Sequence, residues 1–225
     1  MFWRKAMAAG AGLAVLGSAS MAHAGFTTIA PPFPGEALHE EIFQETFGGD
    51  FMQVGLDFTN GTITATRVSD DDNQLFVIPV IDAEVEAVFA SLDQTFGYLP
   101  GPSGGDFVTI FEVDGNAFDV TGSVSGLTIE DQPFRFARMG INGLDSSLEA
   151  DNGGLDKLVT YEITGLDTDD TVTMLFFEDI LGTSADDDFQ DLVVKVTARP
   201  IPNPAAFGAG VVLLGALVLR RRRSA

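Results

Sequence analysis

Apolar and polar residues alternate along much of this chain with a period of two, the pattern of half-buried β-strands. It predicts strands over 51–58 and 62–68, joined at Asn60-Gly61, a dipeptide that strongly favours a hairpin turn. Further strands are expected at 75–80, 107–113, 124–129, 134–138, 158–164, 171–177 and 192–198. Separators such as Gly101-Pro102-Ser103-Gly104-Gly105 and Asp151-Asn152-Gly153-Gly154 carry the residue types that close turns. Many short strands with such punctuation imply an all-β fold, a β-sandwich of jelly-roll type. Two segments suit short helices: 36–47, with Leu38, Ile42 and Phe43 among acids, and 83–92, rich in helix formers. Runs this short suit strands equally well. Pro31-Pro32-Phe33-Pro34 reads as an extended lead-in and residues 200–204 as a linker.

The two ends depart from this pattern. A basic start, Met1 to Lys5, precedes a weakly hydrophobic Ala/Gly-rich run and then Ala22-His23-Ala24. These are the parts of a secretory signal peptide, residues 1–24, with cleavage expected after Ala24. An N-terminal membrane anchor is the competing reading. At the other end Ile201-Pro202-Asn203-Pro204 leads into the apolar run 205–219 and then Arg220-Arg221-Arg222-Arg223. As a helix that run spans about 22 Å, short of the ~30 Å hydrocarbon core. The arginines place their end on the cytoplasmic side and the body outside.

Residues 201–225, with Pro-x-Pro, a short transmembrane helix and an Arg cluster, resemble the PEP-CTERM sorting signal of proteins exported by Gram-negative bacteria and related groups. The commonest form of that signal has Glu where this chain has Asn203. The resemblance implies an exosortase-type sorting enzyme as partner and transient anchoring in the inner membrane through residues 205–219. It also implies residence in the periplasm, at the outer surface or in the extracellular matrix. An ordinary tail anchor is the other reading.

Residues 25–200 amount to one domain. The chain has 33 Asp and Glu against 12 Lys and Arg. All the acids lie in this body, whose basic residues are Arg67, Arg135, Arg138, Lys157, Lys195 and Arg199. Such an excess argues against nucleic-acid binding, which needs a basic footprint, and invites divalent cations. Cysteine is absent, so packing, metal or both must hold the fold outside the cell.

The densest constellation runs from Phe176 to Val194. Phe177 is followed by Glu178 and Asp179, then a small-residue loop, then Asp186-Asp187-Asp188, Phe189, Gln190 and Asp191. Crowded carboxylates repel by roughly 4 kcal/mol per pair at 4 Å and an effective dielectric near 20. A hard cation removes that cost, and Ca²⁺ takes six to eight oxygen ligands. In an extended loop Asp186 and Asp188 share a side and Asp187 faces away. The expected ligands of a structural Ca²⁺ are therefore Glu178, Asp179, Asp186, Asp188 and Asp191, with Asp187 solvated. The competing reading is a solvated turn that blocks edge pairing. Asp70-Asp71-Asp72 and Asp167-Thr168-Asp169-Asp170 read most simply as loops.

This stretch also resembles a C-terminal module of unknown function in exported, PEP-CTERM-bearing bacterial proteins. Phe177-Glu178-Asp179, Asp186-x-Asp188-Phe189-x-Asp191 and Leu192-Val193-Val194 fill its motif, and Gly154-Leu155-Asp156 resembles its upstream lead-in. Gln190 stands where that module often has Asn. The resemblance implies an extracellular all-β domain with a calcium site and implies no activity.

Catalytic signals are thin. His39 is the one histidine beyond the leader and reads as structural or surface, and neither a thiol nucleophile, a Gly-x-Ser-x-Gly elbow nor a phosphate-cradling loop is present. Paired carboxylates for glycoside chemistry arise anywhere in so acidic a chain. The expectation is a non-catalytic cell-surface or extracellular-matrix protein, Ca²⁺-stabilised and associated with exopolysaccharide, biofilm or adhesion. The alternative is a secreted carbohydrate-binding or carbohydrate-active domain.

Overall fold

A computed structural model describes residues 26–68, 74–90, 93–179 and 187–199. The expected signal peptide (1–24) and sorting tail (201–225), the Asp70-Asp71-Asp72 loop and Asp186 lie outside the described residues. No helix among the described residues is long and apolar enough to cross a membrane.

The described chain forms an all-β sandwich with one helix. In chain order the elements are α1 (His39–Phe47), β1 (Met52–Val54), β2 (Asp57–Thr59), β3 (Thr64–Arg67), β4 (Val80–Ala87) and β5 (Gln94–Pro100). Then follow β6 (Val108–Asn116), β7 (Asp119–Thr121), β8 (Ser123–Thr128), β9 (Phe134–Gly140) and β10 (Gly143–Ser146). The last three are β11 (Leu158–Thr164), β12 (Thr171–Phe177) and β13 (Leu192–Ala198). One sheet has the order β1-β2-β3-β11-β12-β13-β4-β8, the other β10-β9-β5-β6-β7.

The larger sheet is covered on both faces, which explains why its central strands read as nearly continuous apolar runs. Leu175 and Phe177 of β12, Leu192, Val194 and Val196 of β13, and Ile81, Ala83 and Val85 of β4 face inward. There they meet Phe96, Phe111, Phe134 and Phe136 of the smaller sheet. Val172, Met174 and Phe176 of β12, with Val159, Tyr161 and Ile163 of β11, face the opposite way. They pack against Ile42 and Phe43 of α1 and against Phe58. Phe43 stands edge-on to Tyr161 at 5.1 Å and 5.5 Å from Phe176, centroid to centroid. Each Val, Leu, Ile, Phe or Met so buried contributes roughly 1.5–3 kcal/mol.

Helix α1 lies within the expected segment 36–47. Its first turn is acidic, Glu40 and Glu41, which suits the positive end of the helix dipole. The Glu41 carboxylate reaches back to accept the Leu38 N–H at 2.9 Å, one half of a capping box. The helix expected at 83–92 is instead β4, over Val80–Ala87. Its residues alternate, with Ile81, Ala83, Val85 and Ala87 buried, and pairing to β13 and β8 on both sides outweighs the helix propensity of Ala and Glu.

The run 51–58 is two strands, because Gly55 turns at φ 67° and folds β1 back on β2. The Asn60-Gly61 turn does join β2 to β3, with Asn60 Oδ1 accepting the N–H groups of Thr62 and Ile63 at 3.1 and 2.8 Å. Segment 75–80 contributes a single bridge, Phe76 to Phe134, before β4 begins. Strand β5 was not expected as a strand. Its bulge between Phe96 and Gly97 brings the backbones so close that a Cβ on Gly97 would lie 2.3 Å from the Val108 carbonyl oxygen.

Candidate metal centre

Register explains how the acidic residues meet. Strands β12 and β13 are antiparallel and their last pair is Phe177 with Leu192. One residue further on, Glu178 comes opposite Asp191, with Asp179 following. Carboxylate oxygens of Glu178, Asp179 and Asp191 all lie within 4.8 Å of one another, a group able to hold a metal ion. Glu178 and Asp179 are buried, and Asp191 is half-buried.

Both sheets contribute to the surroundings. The Asp179 backbone N–H donates to Asp191 Oδ2 at 2.6 Å, and Gln94 of β5 donates its Nε2–H to Asp179 Oδ2 at 3.0 Å. Arg138 of β9, fully buried, donates from Nη1 to Gln94 Oε1 at 2.9 Å and from Nε to the Glu178 carbonyl at 3.3 Å. Its remaining nitrogen pairs with the buried Asp145 of β10. Asn142 donates to the Asp179 carbonyl at 3.3 Å, and the Glu178 N–H donates to the Lys157 carbonyl at 3.2 Å.

The carboxylates crowd one another electrically. Burial, then the negative charge of Asp179 and that of Glu178, pushes the Asp191 carboxyl up to about 9, against the lowering effect of the Asp179 N–H. Burial also raises Asp145, opposed by the positive charges of Arg138 and Lys157. At neutral pH the cluster therefore holds a proton on Asp191 or takes up a cation that lets all three acids ionise. An all-carboxylate donor set suits hard cations rather than thiophilic metals.

Asp188 does not join this group. The alternation that put Asp186 and Asp188 on one side requires extended backbone, but Asp187 and Phe189 are left-handed, at φ 57° and 60°. Phe189 thereby reaches the α1-side core. Asp188 turns toward α1, where its carboxylate accepts from Gln190 Nε2 at 3.0 Å and its carbonyl accepts from His39 Nε2 at 2.8 Å. Asp187 is exposed, as its expected solvation requires. Asp167 and Asp169 are likewise exposed in a loop.

His39 is the residue that sequence reasoning undervalued. It is buried, with Nδ1 3.0 Å from the Tyr161 hydroxyl and its ring 4.2 Å from that of Phe176. Burial above all, with the Arg67 charge adding to it, lowers its pKa to about 4, opposed by its hydrogen bond to the Asp188 carbonyl. Its spacing to Ile42 and Phe43, three and four residues on, is the helical signal that marks it as inward-facing.

A comparison with known proteins finds no matching family model, no matching curated relative and no matching solved structure. The functional reading therefore rests on the site.

Proposed function

We propose that this chain is a non-catalytic, exported component of a cell surface or extracellular matrix, held in shape by Ca²⁺ bound among Glu178, Asp179 and Asp191. The observation that carries this reading is the convergence of three carboxylates within 4.8 Å, between the ends of two neighbouring strands. A cation there ties β12 to β13 and replaces the cross-link that a cysteine-free chain lacks. The large acidic excess supports the same reading, since millimolar extracellular Ca²⁺ suits weak oxygen sites. The leader-like and sorting-like ends support export, and association with exopolysaccharide, biofilm or adhesion follows from that destination.

Thermal unfolding in chelator, in Ca²⁺ and in Mg²⁺ tests the site. Ca²⁺ at a hundred times its Kd stabilises by about 2.7 kcal/mol, and Asp191→Asn removes the increment. An identical melting temperature in chelator and in Ca²⁺ sinks the cation reading.

A further inference from the structure

Gln94, the first residue of β5, reaches the carboxylate cluster from the smaller sheet. It is 3% exposed, and its amide stands between two charged groups. Nε2 lies 3.0 Å from Asp179 Oδ2, and Oε1 lies 2.9 Å from Arg138 Nη1. These neighbours fix the orientation of the amide. A guanidinium only donates and an ionised carboxylate only accepts, so Oε1 faces Arg138 and the N–H faces Asp179. Turned over, the amide would set donor against donor and acceptor against acceptor.

Arg138 is itself held at each of its nitrogens. Nη2 pairs with Asp145, its register partner on β10. Nε donates to the Glu178 carbonyl at 3.3 Å, which leaves Nη1 for Gln94. Gly140, two residues further along β9, keeps the space for that contact open. A Cβ on Gly140 would lie 2.8 Å from Arg138 Nη1 and 3.3 Å from Gln94 Oε1. An arginine so buried and so tied has little room to give way.

An amide in this place acts differently from a cationic side chain. A Lys there would bring a full positive charge to Asp179 and take over the charge that a metal ion neutralises. Gln94 supplies one N–H, strengthened by the Arg138 charge behind it, and no net charge. Asp179 is thereby oriented without being neutralised. Groups that hydrogen-bond a metal-binding carboxylate set its direction, and their loss costs about 10–100-fold in affinity.

We propose that Gln94 is the positioning residue of the cation site: it aims Asp179 from the opposite sheet, in an orientation that Arg138 imposes. The bound ion then joins the two sheets through Asp179 and Gln94, beyond tying β12 to β13. This inference rests on the reading of Glu178, Asp179 and Asp191 as a Ca²⁺ site.

The test is a calorimetric titration of the full chain with Ca²⁺, repeated for Gln94→Met, Gly140→Ala and the two combined. Gln94→Met keeps the length, removes both hydrogen bonds and is expected to weaken binding roughly 10–100-fold. Gly140→Ala leaves Gln94 in place but crowds its contact with Arg138, so it weakens binding too, and it carries the test alone if Gln94→Met does not fold. Adding it to Gln94→Met is expected to cost less than about twofold more, because the contact is already gone. Single variants that melt lower in chelator yet bind Ca²⁺ as the native chain does make Gln94 a packing residue. That result overturns the proposal and leaves the cation site standing. Additive losses in the double variant overturn it as well, since Gly140 then acts apart from Gln94. A native chain that binds no Ca²⁺ removes the cation reading and this inference together.

Discussion

The carboxylates of Glu178, Asp179 and Asp191 and the imidazole of His39 are two buried ionisable nodes, the first at the ends of β12 and β13 and the second hydrogen-bonded to the Asp188 carbonyl just before β13. Burial penalises charge at both, yet it pushes Asp191 up to about 9 and His39 down to about 4. His39 is content as a neutral group, because a hydroxyl and a carbonyl satisfy both ring nitrogens. The three carboxylates instead crowd within 4.8 Å of one another, and the donors to Asp179 and Asp191, the Gln94 amide and the Asp179 N–H, carry no full charge to offset theirs. One node is self-sufficient and structural. The other is complete only with a proton or a cation. A low-dielectric interior around both thus leaves one a packing element and the other a group able to hold a cation.

The largest expected effect breaks the neutral node by removing its floor. Phe176→Ala, beneath the His39 ring, costs about 3–5 kcal/mol in urea unfolding and leaves the Ca²⁺ increment in place. An effect under about 1 kcal/mol contradicts the packing described for that face.

Next comes pH. The folded pKa of His39 lies below its unfolded value, so the unfolded chain binds more protons between about 6.5 and 4. Its contribution is complete above about 6.5 and is lost as pH falls toward about 4, amounting to roughly 3 kcal/mol. His39→Gln is expected to remove that slope from a series of melts; an unchanged slope contradicts the assignment.

Asp191 provides the opposite sign. With metal chelated, its raised pKa favours the folded state at low pH and that benefit is lost as pH rises through about 9. Asp191→Asn in chelator at neutral pH is expected to stabilise by about 1–2 kcal/mol, while abolishing the response to Ca²⁺. Destabilisation in chelator by the same variant shows that the carboxylate is not in conflict with its neighbours.

The smallest effect calibrates the others. Lys195 pairs with Glu84 and Glu86 between β13 and β4, remote in role from either node. Lys195→Ala is expected to cost under about 1 kcal/mol, and less in high salt. A larger loss shows that surface pairing, not the buried nodes, dominates the electrostatics of this sheet.

Strands such as β11, β12 and β13 were legible because a run of large apolar residues buried on both faces admits few other readings at that length. Strand β4 was not, since Ala83, Glu84, Val85 and Glu86 satisfy helix and strand propensities alike. Partners on both sides, far away in sequence, decided it. The same holds for β5, where Gly97 interrupts the strand-favouring Thr95, Phe96 and Tyr98.

The cluster divides in the same way. Glu178, Asp179 and Asp191 could be paired from sequence because they flank two strands with continuous apolar runs, and antiparallel register does the rest. Asp188 was misplaced because the alternation rule assumes extended backbone. Two left-handed residues, Asp187 and Phe189, are invisible until Phe189 is seen filling the core.

The all-β class, the acidic body and the strand ends where carboxylates accumulate can be read along the chain, because periodicity and charge are local and β12 and β13 are neighbours in sequence. Only the tertiary structure decided that the larger sheet is covered twice and that His39 is buried and neutral. Those depend on how the segment before β1 docks onto the outer face of the larger sheet, over strands from 57–67 and 158–177. Local spacing shows which face of a helix turns inward, as His39, Ile42 and Phe43 do, but not which distant strands it meets.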